Sequence, residues 1–516
     1  MNLRRGAIVP AILCLLLPLL FSACGPTRVQ RELLRPNEYA RIDAASQYLK
    51  AHMRDGSVYV LSNWSVAEAT NSVRGDGQLL DFNRVERQRG TFTVPVDSVL
   101  LFESNVLHGG PGQAALTPLT FVSAVVTAVC LADPKACFGS CPTFFAETEN
   151  GWELLAEGFS ASIAPCLEAT DVDALARWRP RGSRVELKMT NDAYETHVVR
   201  HADLLAVPLS LGERAGFTSA GRFRMLREFV EPTRANAREG DIVAEVRRMD
   251  ELERFSLADS TDLAALETID LEFDVPESGE WGLMLGMRQS LMTTYLFYQG
   301  LAYLGTNAGQ WLAKLEAMDP AQRAKFTTLW SALGGVKVQL PQGEDFATVG
   351  EVTETGPLAI DYDVVELPVL EAGPAQLRLE LTQGLWRIDY VTLVQLGEVV
   401  EPLRLSPAEV HRDGTGDDSA RRLLLDPEES LVTLPGDEYR LLYELPDDSE
   451  EWELFLESRG YYLEWMRDEW LQDENPTLAA KMLLMPRQML RDLAPAFKAV
   501  EPAMETFFWE SRYVRQ

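Results

Sequence analysis

Between residues 57 and 107 apolar and polar side chains alternate in short runs: Val58-Tyr59-Val60-Leu61, Thr91-Phe92-Thr93-Val94, and Val96 to Phe102. A period of two places one face of each run in a core and the other in water, which predicts a small antiparallel β module over 57–110. Gly75-Asp76-Gly77 and Arg89-Gly90 are its expected turns. Before it, Leu33, Leu34, Tyr39, Ile42, Tyr48 and Leu49 fall at roughly helical spacing, and Asp55-Gly56 supplies a stop. The expectation there is a helix from Arg28 to Met53, serving as a tether over 24–56. Farther on, Trp152 to Ala156 and Val185 to Met189 read as half-buried strands, and Leu204 to Leu209 as a buried strand limited by Pro208. With Ala114 to Ala132, apolar enough for a buried helix or strand pair, they form a cysteine-bearing α+β domain over 111–212.

In the second half, Phe223 to Arg254 is mixed and charged and reads as a connection. Thr268 to Pro276 alternates as a strand with one wet face. Gln289 to Leu304 has the spacing of an aromatic-rich helix closed by Gly305. Ala308 to Met318 predicts a second helix, and Asp319-Pro320 opens a third that stops at Gly334-Gly335. The stretch 213–345 is thus a mixed linker and helical region. Tyr295, Phe297, Tyr298, Tyr303 and Trp311 suit core packing, with a ligand groove as the alternative. Phe346 to Val352, Leu358 to Leu370, Leu377 to Thr382 and Leu385 to Val391 are strands at near-regular spacing, predicting a β-sandwich-like region over 346–460 that ends on Trp452 to Leu456. The tail 461–516 is expected to be helical, with Asn475-Pro476 starting one segment and Pro486, Pro495 and Pro502 bending or breaking it. The fold class is α+β and multidomain, with antiparallel β modules in the N-terminal half and centre and helices in the middle and at the C-terminus.

Composition fits a globular chain: 516 residues, 46% hydrophobic and 24% charged, with a formal charge of −30. That excess repels nucleic acid and anionic headgroups at long range, so nucleic-acid binding is excluded. Arg4 and Arg5 precede an apolar run from Ala7 to Phe21, the pattern of a secretory signal over 1–23. The run is short for a membrane span and is broken by Pro10 and Pro18. Phe21-Ser22-Ala23-Cys24 resembles the bacterial lipobox, which implies cleavage before Cys24 and lipid attachment at its sulfur. Gly25 follows, not Asp, which by analogy implies the outer membrane of the cell envelope.

In such a compartment cysteines default to disulfides. Cys130, Cys137, Cys141 and Cys166 allow three pairings. Zinc is disfavoured because paired CxxC spacing is missing, and a redox CxxC is absent. Ser140-Cys141-Pro142-Thr143-Phe144-Phe145, Glu157-Gly158-Phe159, Ser162-Ile163-Ala164, Leu167-Glu168-Ala169-Thr170-Asp171 and Met189 to Thr196 follow one another in that order. They resemble a module of uncharacterised exported bacterial lipoproteins, built from SCP with aromatics, an E-G-aromatic step, an LExxD segment and a closing NExxE strand. Asp192 stands where Glu is commoner. The resemblance implies an extracytoplasmic domain and assigns no activity.

Glu157, Glu168, Asp171 and Asp173 gather carboxylates near the cysteines. Such a group is solvated or structural, holds calcium, or works as acid and base. His197-Val-Val-Arg-His201 suggests a metal pair only on a helix. Val198 and Val199 favour a strand, where the two rings share a face about 13 Å apart at ~3.3 Å per residue. Asp413-Gly-Thr-Gly-Asp417-Asp418 lacks the glycine and glutamate of an EF-hand loop and reads as an exposed turn. No phosphate loop, dinucleotide fingerprint or nucleophile elbow is present. No metal or cofactor is expected. The resulting expectation is a lipid-anchored envelope protein of structural or partner-binding role, its partners the membrane and another envelope protein. The alternative is an extracytoplasmic hydrolase using Glu157, Glu168 and Asp171.

Overall fold

The computed structural model describes residues 28–44, 46, 48–53, 57–80, 86–108, 141–149, 151–180, 182–210, 212–305, 328–353, 355–446, 451–465 and 473–511. They belong to two compact units divided between Val122 and Ser123. The leader with Cys24, the Ala114–Ala132 run, Cys130, Cys137 and the helix expected over Ala308–Met318 lie outside the described residues. Antiparallel strands predominate, and the helices are few and mainly C-terminal, so the fold is β-rich and multidomain rather than a balanced α+β.

The first unit is one antiparallel sheet. Its strands are β1 (Arg28–Leu34), β2 (Tyr48–Met53), β3 (Val58–Ala67), β4 (Ser72–Leu80), β5 (Glu86–Pro95) and β6 (Val99–His108). Their spatial order is β1-β6-β2-β3-β4-β5. Leu49, Ala51, Leu61, Val73, Val94, Val99 and Phe102 form the core. The helix expected over Arg28–Met53 is corrected to two strands joined by a 3-10 turn at Pro36–Arg41. The apolar positions fit either period at so few residues, and pairing of β1 and β2 along both sides of β6 decides for the strand. The turns expected at Gly75-Asp76-Gly77 and Arg89-Gly90 are also corrected, since these lie within β4 and β5, paired with each other. Gly77 is there for closeness: a Cβ on it would fall 1.9 Å from the Val60 carbonyl oxygen.

The second unit stacks three sheets. The first joins Thr415–Gly416, Glu409–Arg412, Glu438–Glu444, β10 (Arg184–Thr190), β7 (Thr143–Thr148) and β8 (Gly151–Glu157), in that order. The middle one runs Leu403–Leu405, β11 (Glu195–Leu209), Glu451–Glu464, β9 (Ala169–Ala174). The third runs Arg214–Phe217, Phe223–Val230, Trp386–Val400, Trp281–Gln289, Asp361–Glu366. Phe144, Leu187 and Tyr443 pack against Leu204, Leu454 and Leu456 on one side of the middle sheet. Leu205, Val207 and Phe455 meet Leu226, Val364 and Val394 on its other side. A sheet covered on both faces needs a near-continuous apolar run, which Ala202–Val207 of β11 supplies.

A fourth sheet contains Leu266–Val275, Gly373–Thr382, Val336–Gln342 and Asp345–Val352. The strands expected to make one sandwich over 346–460 are therefore distributed over three of the four sheets of this unit. The charged segment expected as a connection from Phe223 contributes the strands Phe223–Val230 and Arg234–Ala237. Glu451–Glu464 runs on past Tyr461, where helix was expected. Helices Met292–Leu304, Pro476–Leu484 and Pro486–Val500 follow the sequence reading more closely. Asn475 caps the second of these by accepting from Leu478 N at 3.1 Å, and Pro495 is accommodated inside the third. The Asp413 turn joins two short strands, and Asp417 caps helix Asp418–Leu425.

Candidate functional site

In the second unit a cavity of about 310 Å³ lies where β7, β8 and β11 meet helix Met292–Leu304. Each wall has a local origin. Cys141 stands just before β7, Glu157 ends β8, and Glu195 opens β11. Tyr462 comes from Glu451–Glu464, opposite His197 in the ladder. Thr293, Thr294, Phe297 and Tyr298 occupy one helical face by their spacing of one, four and five residues. Gln289 and the loop carrying Thr353, Thr355 and Pro357 close the remaining side. Five pieces of the exported-protein resemblance (Cys141, Glu157, Ile163, Leu167 and Glu195) thus converge on one space, although 54 residues of chain separate the first from the last. The helix could not be attached to them from sequence, because nothing local links residue 157 to residue 297.

Glu157 is 2% exposed. Its Oε2 accepts from Leu358 N at 2.8 Å, while Oε1 makes no hydrogen bond of good geometry. Gly356 permits this approach, since a Cβ there would fall 2.2 Å from Glu157 Oε2. Burial raises the Glu157 pKa to about 7, with Leu358 N–H, the Cys141 thiol and the more distant Arg288 offsetting only part of the desolvation. Glu195 is fully buried, with His197 Nε2 3.4 Å from its Oε1. Asn191 braces the start of β11 by donating from Nδ2 to the Glu195 carbonyl at 3.0 Å. The Tyr462 hydroxyl donates to Ser160 O at 3.1 Å and the Tyr298 hydroxyl to Glu464 Oε2 at 3.3 Å. Cys141 is a buried thiol whose Sγ lies 3.6 Å from Ser160 O.

The other expected carboxylates go elsewhere. Asp171 and Asp173 project from β9 toward Asp361 and Asp363, and burial together with mutual repulsion raises the pKa values of this group. Asp171 rises by burial alone. Glu168 accepts from Arg200 Nε at 3.2 Å and Arg459 Nε at 2.8 Å, in a separate cleft of about 680 Å³. Glu157, Glu168 and Asp171 therefore do not line one cavity.

The histidine pair needs a correction as well. β11 is a strand, as expected, but Val199 pairs with Gly460 and His201 with Arg459, so Arg200 is an extra residue. This bulge reverses the side-chain alternation. His197 consequently faces Tyr462 and His201 faces the opposite side. There His201, Asp203 and Glu457 bring ligand-type atoms within 4.8 Å of one another. Arg404 lies among them, with Nη1 2.9 Å from Asp203 Oδ2 and 2.6 Å from Glu457 Oε1. Carboxylates directly opposite across a ladder repel, and the guanidinium supplies their counter-charge.

The Glu157 shift fixes a pH dependence. Between the ordinary glutamate value of 4.5 and about 7 the unfolded chain has lost this proton while the folded chain keeps it. The folded state then binds more protons, so stability falls as pH rises through this window and levels off above it. The loss amounts to about 3 kcal/mol. Denaturant unfolding at pH 4.5 and 8 should show the decline in the wild type and a decline smaller by that order in Glu157→Gln. Equal declines would contradict the shift.

No family model and no curated protein matches the chain. Among solved structures it is similar to the arabinofuranosyltransferase AftD from Mycobacteria, at 11% identity over 86% of this chain and 37% of that one, TM-score 0.18. The secreted serine protease VesC from Vibrio cholerae matches at 7% identity over 72% of this chain and 99% of that one, TM-score 0.12. Tripeptidyl peptidase 2 matches at 9% identity over 95% and 33%, TM-score 0.15. Similarity this low carries no argument about fold or activity.

Proposed function

We propose that this chain is a lipid-anchored protein of the bacterial cell envelope, held at the outer membrane by Cys24, whose second unit binds a small ligand in the Glu157 cavity. One observation carries the binding role: a space of about 310 Å³ with mostly apolar walls and a few convergent polar groups, two of them buried carboxylates. Sites for small molecules have this size and make-up. Sheets and a helix build the walls, so the shape is present before a ligand arrives and little ordering entropy is lost on binding. The lipid anchor is supported by the basic, apolar and small-residue sequence of the first 24 residues.

Hydrolysis is the second reading, and one feature favours it. A carboxyl that keeps its proton near neutrality is suited to act as a general acid. The carboxylate partner would then be Glu195, the other acid of the same cavity, rather than Glu168 or Asp171.

Two measurements test these proposals. Native mass spectrometry of the full chain in mild detergent should show a small-molecule mass excess that disappears when Thr294→Trp fills the cavity. Identical masses for wild type and variant, together with identical responses to a small-molecule library, would remove the binding role. Palmitate labelling should be lost in Cys24→Ala, and labelling unchanged by that substitution would remove the anchor.

A further inference from the structure

We propose that the ligand of this cavity is an organic ammonium ion, its charge held against Glu157 and Glu195 and its carbon skeleton against Phe297, Tyr298 and Tyr462. The inference rests on the ligand-binding reading of the cavity and names the chemistry that the walls select. Among the described residues no lysine, arginine or histidine lines it, whereas the two glutamates are 2% and 0% exposed. An anionic ligand would be repelled there. Glu195 has His197 Nε2 3.4 Å away, but no described cation touches Glu157, and an entering ammonium supplies the charge that its buried carboxylate lacks.

The hydrogen-bonding pattern points the same way. Tyr462 and Tyr298 already donate their hydroxyl protons to Ser160 O and Glu464, leaving oxygens that accept. Glu157 Oε1 is buried at the wall and lacks a well-formed hydrogen bond. The wall is therefore rich in acceptors, and an ammonium group carries donors only. Three aromatic rings complete the arrangement, because a cation over a ring face gains about 0.5–2 kcal/mol. Size limits the rest of the ligand. The space equals roughly ten water molecules of liquid volume, enough for a phenylalkylamine and too small for a peptide.

Binding must ionise Glu157, so it releases a proton below neutrality. The charged and titratable groups around Glu157 are Cys141, Asp173 on β9, and Arg288, which is paired with Glu253 and Glu505. Those around Glu195 are His197 and Tyr462, with Tyr298 and Glu464 beyond. Affinity for a permanently protonated amine should fall about tenfold for each pH unit below 7. It should level off above 7 until the amine itself deprotonates.

The experiment is isothermal titration of the full-length chain with three probes of similar shape: 2-phenylethylamine, 2-phenylethanol and phenylacetate, at pH 5.5 and 7.5. The amine should bind at pH 7.5 at least tenfold more tightly than the alcohol, the carboxylate should not bind, and the amine should weaken more than tenfold at pH 5.5. Glu157→Gln should remove that pH dependence. Phe297→Leu, chosen in case the glutamine variant folds poorly, should weaken both, and the amine several-fold more than the alcohol, because only the amine loses a cation–ring contact. Alcohol binding equal to the amine, or binding of the carboxylate, would overturn the ammonium assignment while leaving a ligand cavity. Failure of all three probes at millimolar concentration, with no native mass excess, would overturn the cavity reading itself.

Discussion

A carboxyl group removed from water must find a cation, find donors, or keep its proton. Each of these outcomes occurs in the second unit. Glu168 has two arginines, and Asp203 and Glu457 share Arg404. Glu157 has a backbone donor but, among the described residues, no cation in contact, and keeps its proton to about pH 7. The difference is built by the backbone. Glu168, Asp203 and Glu457 lie where long arginine side chains can reach them from neighbouring strands. Glu157 stands at the end of β8, under a loop whose glycine allows main chain but no side chain to approach.

The stacked sheets are what make that position possible. β11 contributes core on both faces over Ala202–Val207, and at its first residue places Glu195 in the cavity. The bulge at Arg200 separates these two roles, since it sends His197 toward the cavity side and His201 toward the Arg404 network. The same strand thus carries a dry acid at one end and a neutralised pair farther along. Phe159, held at a φ of +39°, turns the chain immediately after Glu157 and buries its ring beneath the middle sheet. A non-glycine residue in this region is held there by its surroundings. Removing the ring would therefore disturb the position of Glu157 as well as the core.

Strand periodicity was legible where buried and wet positions alternate, as in Leu266–Val275. Helix punctuation was legible at Asn475-Pro476, where capping chemistry is local, whereas Asp417, read as part of an exposed turn, caps a helix that was not expected. The Arg28–Met53 segment misled because six apolar positions fit two periods, and only the distant β6 selects between them. Gly75 and Gly77 carry a turn signal in sequence, yet they serve close contact between strands. The bulge at Arg200 leaves no mark in composition, so the facing of the histidines was not readable. The cavity was partly legible: Glu157 was singled out, but it was grouped with Glu168, Asp171 and Asp173 rather than with Glu195, and Phe297 and Tyr298 looked like core. Joining them requires the third dimension, because more than 100 residues of chain lie between β8 and the helix.

Glu157 is a buried acid that keeps its proton to about pH 7. Difference infrared spectroscopy of the full-length chain against Glu157→Gln, followed from pH 4 to 9, observes it directly. A protonated-carboxyl C=O band that is absent from the variant and disappears with a midpoint of about 7 is expected. A band that disappears near the ordinary glutamate value of 4.5 would contradict it.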